Sequence, residues 1–144
     1  MARTRHRRET KERYVGIPRR VLQTAHYFSL SFKAKTLLLE LAYQYNGHNN
    51  GDLTCAFTIL RERGWKSRST IDLARRELEA VGYIEQTRQG GKHKCNLYAL
   101  TWRPIDHCDG KLDVSPTTTP SGLWKTGSNP FYRRSVERES DEHA

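Results

Sequence analysis

The stretch Ser67–Gly82, SRSTIDLARRELEAVG, constrains this chain more than any other. A Ser hydroxyl accepts an orphan N–H of a first helical turn, and Gly takes the left-handed conformation in which helices commonly stop. Ile71, Ala74, Leu78 and Val81 recur at intervals of three and four, which places them on one apolar stripe. At 3.6 residues per turn the opposite face collects Arg68, Ser69, Asp72, Arg75, Arg76 and Glu79. One face suits a core. The other presents three guanidiniums with short polar groups, the chemistry with which a helix reads guanine edges or phosphates in a DNA major groove. An ordinary surface helix with solvated charges shows the same pattern, so the surroundings decide between the two.

Those surroundings are basic. The net charge is +9 over 144 residues. It is unevenly spread, at +6 for residues 1–20, +5 from Arg61 to Arg103 and −2 for residues 104–144. A basic body with a basic arm implies a polyanionic partner, most commonly nucleic acid. An anionic membrane is the competing partner, but no run reaches the ~18 apolar residues of a membrane span. The basic N-terminus also lacks the apolar core of a signal peptide, so the expected location is the cytoplasm, with the nucleoid. Cys55, Cys95 and Cys108 are odd in number and unpaired in spacing, which argues against a disulfide scaffold. His93, Cys95, His107 and Cys108 match no recognised zinc-finger spacing, so neither a metal nor a cofactor is expected.

Taken in order, residues 1–13 have no apolar periodicity and read as a flexible basic arm. Arg3, Arg5, Arg7 and Arg8 could track phosphates or enter a minor groove, and equally could only keep the chain soluble. Pro18 suits a first helical turn, with Val21, Leu22, Ala25, His26 and Phe28 as a short apolar face. Ser31 caps a firmer helix whose stripe is Ala34, Leu37, Leu38, Leu41, Ala42 and Tyr45, ending at Asn46-Gly47. His48-Asn49-Asn50-Gly51-Asp52 is dense turn chemistry, after which Leu53 and Thr54 leave room for a very short strand. A helix from Thr54 or Cys55, with Phe57, Leu60 and more weakly Ile59 on its inner side, stops near Gly64. Together with Ser67–Val81 it has helix-turn-helix spacing.

Beyond Gly82 the period changes to strand-like runs at Tyr83–Thr87 and Asn96–Trp102. Gly90-Gly91 between them is a hairpin signal, and Arg88, Lys92 and Lys94 put three cations and no acid at its tip. Residues 104–144 are rich in Pro, Thr, Ser and charge and read as mostly unstructured or loosely docked. Leu123, Trp124 and Phe131 are large apolar exceptions that fit docking onto this domain or onto a protein partner. No Gly-rich phosphate loop, metal motif or isolated carboxylate pair suggests an enzyme.

The order helix, short strand, helix, turn, Arg-rich helix, strand, basic Gly-Gly tip, strand resembles a winged helix-turn-helix domain within residues 14–103. The Ile17-Pro18-Arg19 opening, NNGDL, and GYIEQTRQGGKHKCNLYAL resemble small winged-helix proteins of bacterial phages, plasmids and integrative elements. The resemblance implies a mainly α fold with a small β-hairpin, Ser67–Val81 as recognition helix and Arg88–Lys94 as wing. Ser67, Arg68, Ser69, Asp72, Arg75 and Arg76 would then face double-stranded DNA, with Arg88, Lys92 and Lys94 on the backbone. The implied function is a sequence-specific transcriptional regulator of a mobile element, with replication initiation or a protein-interaction module as the alternative; a homodimer is expected on the general ground that two half-sites multiply the specificity of a small reader. Winged helices serve many purposes, so fold alone does not choose.

Overall fold

Ser31 and Ser67 start the two long helices through their own hydroxyls, Ser31 Oγ accepting from Ala34 N and Ser67 Oγ from Thr70 N. In the computed structural model, which describes residues 12–132, these are α3 (Phe32–Gln44) and α5 (Arg68–Val81). Short helices α1 (Arg19–Leu22), α2 (Ala25–Phe28) and α4 (Phe57–Leu60) surround them, with strands β1 (Leu53–Thr54), β2 (Ile84–Arg88) and β3 (Leu97–Leu100). The class is α+β, and the strands form one antiparallel sheet in the order β1–β3–β2.

The stripes read from sequence meet in the core. Ala34, Leu37, Leu38 and Leu41 of α3 are buried together with Ile71, Ala74 and Leu78 of α5. Full burial of a Leu or Ile stabilises by roughly 1.5–3 kcal/mol each before chain entropy is counted. Glu77 adds a polar tie between the helices: its carboxylate accepts from Ser31 N and Ser31 Oγ, both at 2.7 Å. Ser31 thereby caps α3 and anchors it to α5 at once.

The region before α3 departs from expectation. It is two helices instead of one, because Thr24 Oγ1 accepts from Tyr27 N and starts a second helix. That hydroxyl also lies 2.7 Å from the Tyr83 hydroxyl. Phe28 is 65% exposed, whereas Val21 and Leu30 are buried and Tyr27 packs against the core. Ile59, assigned to the inner side of α4, is half exposed, and only Leu60 of that helix is fully buried.

The sheet is short and pinned at its margins. Leu53 pairs with Tyr98 and Ile84 with Leu100, and the β2–β3 register shifts between Gln86 and Arg88. On the outer side of β1 the Gln44 side chain stands in for a further strand, donating to Thr54 O at 2.9 Å and accepting from Thr54 N at 2.8 Å. At the shifted position, Thr87 Oγ1 donates to Gly51 O at 2.6 Å.

Residues 104–132 run back along this body. Trp124 is 6% exposed, Ile105 and Asn129 are buried, and His26 Nε2 donates to the Trp124 carbonyl. Gly122 N donates to Thr101 O and Asn129 N to Ala80 O. Trp124 is therefore packed on its own domain, one of the two placements the sequence leaves open; Leu123 is half-buried beside it, and Phe131 is 66% exposed. Arg20 lies 5.7 Å from the Trp124 ring centroid and adds a cation–π contact.

Gly82 is the joint between α5, β2 and this returning segment. Its φ is 91°, and a Cβ there would stand 2.6 Å from Leu123 O. Gly82→Ala combines left-handed strain with that clash and is expected to lower stability by about 2 kcal/mol in urea denaturation. An unchanged midpoint would mean that the segment shifts away freely.

Candidate nucleic-acid interface

The face of α5 turned away from the core divides into free and occupied residues. Arg68, Ser69 and Arg76 are exposed. Ser67 Oγ, besides capping, lies 2.7 Å from Ser69 Oγ, so the first turn is locally ordered. The Arg68 guanidinium lies 5.2 Å from the ring centroid of Phe57 on α4, a contact that steadies a long side chain while its charge stays in water.

Arg75 is different. Only 18% of its side chain is exposed; it bonds to Asp72 at 2.5 Å and forms a second, very close ion pair with Glu79. Burial disfavours its charge, but Tyr98, Asp72 and Glu79 nearby outweigh that and hold its pKa above the ordinary arginine range. Glu79 is itself buried, at 3% exposure. Arg75, expected to face DNA, is thus the counter-ion of an inward carboxylate. Asp72 is likewise occupied, by Arg75 and by Arg76 at 3.0 Å. Of the three α5 arginines, Arg68 and Arg76 reach outward, and Arg76 keeps 57% of its side chain exposed.

A groove of about 450 Å³ lies beside this face, lined by Phe57, Arg68, Ser69 and Asp72 on one side and Asn96 and Tyr98 on the other. Burial raises the pKa of Tyr98 and pushes that of Cys55, also on the groove wall, up to about 12. Both groups therefore stay neutral at physiological pH, and the charge of the groove comes from its arginines and Asp72. Cys55 is a packed thiol and a poor nucleophile.

The β2–β3 connection leads into the far wall. Its turn centres on Lys92-His93, closed by Gly91 N donating to Lys94 O at 3.0 Å, and not on the Gly90-Gly91 pair. Gly90 matters for a different reason. A Cβ there would stand 2.3 Å from Lys94 O, so its bare backbone lets the two arms cross closely. Asn96 Oδ1 accepts from Gly90 N at 2.5 Å and fixes the same crossing. Lys92 and Lys94 are exposed at the tip. Arg88, assigned with them to a backbone contact, turns back and donates to Cys95 O at 2.8 Å, which makes it a brace of the connection.

Arg3, Arg5, Arg7 and Arg8 lie outside the described residues. No helix among the described residues is long and apolar enough to cross a membrane. Asn96 and Phe57 join the site without having been marked in the sequence. Nothing local signals them, because both become part of the groove only through packing of α4 and β3 on α5. Compared with protein-family models, with curated proteins and with solved structures, the chain finds no match in any of the three.

Proposed function

We propose that this chain is a sequence-specific double-stranded DNA-binding protein of the winged helix-turn-helix type and that it regulates transcription of a mobile genetic element. In this reading α4 and α5 are the helix-turn-helix, α5 is the recognition helix and residues 88–94 form the wing. One observation carries it: Arg68 and Ser69 at the start of α5 and Cys95-Asn96, at the end of the acid-free β2–β3 connection, line a single groove. The three acids on the α5 sequence stretch do not oppose a phosphate backbone as free charges. Asp72 and Glu79 are held by arginines, and Glu77 is bound to Ser31. Arg68 and Arg76 supply forked donors for base edges, Lys92 and Lys94 supply phosphate contacts, and the N-terminal arginines add to the salt-dependent affinity. The setting in a mobile element comes from the resemblance of the NNGDL and hairpin stretches, and a homodimer on two half-sites is part of the same proposal.

Selection of random duplexes by the full chain in about 150 mM salt tests this reading. The expected result is enrichment of one motif, as a palindrome with half-sites about 10 bp apart or a multiple of that. Arg76→Ala is expected to relax discrimination by roughly tenfold or more, while Lys92→Ala weakens all duplexes nearly equally and lowers the salt slope by about 1. Binding without enrichment would leave a general polyanion binder, and equal effects of the two substitutions would sink the division of roles.

A further inference from the structure

A second cavity, of about 550 Å³, lies on the other side of the α5–β2 junction, between β2 and the returning 113–132 segment. Its size is that of a small-molecule site. Among the described residues it is lined by three carboxylates, Glu79, Glu85 and Asp113, against one guanidinium, Arg88, in a chain of net charge +9. Arg88 donates through one terminal nitrogen to Cys95 O while its buried Nε bonds to nothing among the described residues, and Glu79 already holds Arg75.

Glu85 and Asp113 are placed differently. Ser121 Oγ donates to Glu85 Oε2 at 2.5 Å, and Gln89 N donates to Asp113 Oδ2 at 2.8 Å. These two bonds close the segment over β2, and each uses one carboxylate oxygen. Among the described residues the second oxygen of each takes no hydrogen bond or ion pair. Burial raises the Glu85 pKa, with the Ser121 bond working against the shift, so an uncompensated carboxylate sits in a poorly hydrated wall. Leu123, Val114, Phe131 and Tyr132 give the rest of the lining an apolar and aromatic part, beside neutral polar groups such as Gln86, Thr87 and Asn129.

We propose that this cavity binds a small organic cation with a flat or ring-bearing apolar body. The ammonium or amidinium lies against Glu85 and Asp113, and the ring lies among Leu123, Phe131 and Tyr132. A phosphate or nucleic-acid ligand is disfavoured by the excess of carboxylates. A bare metal ion is disfavoured because, among the described residues, no three metal-ligating side chains gather at one place. An organic cation satisfies both halves of the lining, since charge meets the carboxylates and the ring replaces water on the apolar wall. Glu79 belongs to this cavity wall and to the Arg75 pair, so it joins the cavity to the α5 face. Occupancy needs no DNA, and its test is independent of the DNA reading.

The test is a titration of the full chain with benzamidine near pH 7, without DNA, followed by ligand-observed NMR or calorimetry, with benzamide as the neutral isostere. The expected result is saturable one-to-one binding with a Kd of about 1 mM or tighter, and benzamide at least about tenfold weaker. Glu85→Gln keeps an acceptor for Ser121 and is expected to weaken benzamidine about tenfold. Phe131→Ala alters a side chain that is 66% exposed, so it leaves the fold intact and is expected to weaken binding about threefold or more. Absence of saturable binding, equal binding of benzamide, or benzamidine affinity unchanged in both variants would overturn the proposal. Should Glu85→Gln prove unfolded, Phe131→Ala and the benzamide comparison decide alone.

Discussion

Asn50→Ala is expected to lower folding stability by about 3–5 kcal/mol, enough to unfold much of a typical small domain at moderate temperature. Asn50 is fully buried. Its Oδ1 accepts from Leu100 N at 2.8 Å, and its Nδ2 faces the carbonyls of Leu100, Arg103 and Pro104 at 2.9 to 3.1 Å. One amide thus closes the end of β3 and turns the chain into the returning segment. Its own backbone is bound as well, its N–H to Asp106 Oδ2 and its C=O to Asp106 N, both at 2.8 Å. Alanine keeps those backbone bonds but leaves the buried Leu100 N–H and the carbonyls without partners, at about 1–3 kcal/mol for each buried group orphaned. Asn50→Asp is expected to be no better, because it sets a charge against three carbonyl oxygens. Asn49→Ala removes only two local bonds, from Asn46 N and to Gln44 O, at a half-buried position and should cost about 1 kcal/mol. Urea denaturation of the three variants separates these cases. A loss below about 1 kcal/mol for Asn50→Ala would show that water or a shifted backbone satisfies the site.

This residue also marks where sequence reasoning stops. The composition of His48–Asp52 reads as a turn, and a turn is there, but turn chemistry is local while the Asn50 amide works on residues fifty positions away. Features decided within one helical turn were legible: the Ser31 and Ser67 caps, the Gly82 stop, and the stripes of α3 and α5. The break at Thr24 was not, because the apolar positions run through it and only the competition of a side-chain cap with helix continuation divides α1 from α2. For residues 104–132 composition does not locate the docking contacts. Pro, Thr and Ser dilute three buried anchors: Ile105 lies by the Gly51 turn, Trp124 beside Arg20 and His26, and Asn129 on Ala80 of α5. On the candidate interface, the spacing of Arg75 and Glu79 was visible and an ion pair could be foreseen. Burial of Glu79 could not, since β3 and the C-terminal segment lie beside it.

That burial makes Arg75 and Arg76, neighbours in sequence, behave oppositely. Arg75→Ala is expected to cost about 1.5–3 kcal/mol, because it removes a charged hydrogen-bond partner from the Glu79 carboxylate at 3% exposure. Arg76→Ala removes a side chain that is 57% exposed and bonded only at the surface to Asp72, so its stability cost should stay within about 0.5 kcal/mol. Under the DNA-binding proposal the order reverses, and Arg76→Ala is expected to lose discrimination in a fully folded protein. A double change, Arg75→Met with Glu79→Leu, separates structure from recognition. Replacing a buried ion pair by apolar groups of similar size is often neutral or stabilising, so most of the stability should return. Asp72 would then be left to Arg76 alone. If the folded double variant selects the same DNA motif as the parent, Arg75 is a structural counter-ion. If it folds but has lost selection, Arg75 swings out of its pair on binding, and the Asp72–Arg75–Glu79 cluster is part of the reading surface.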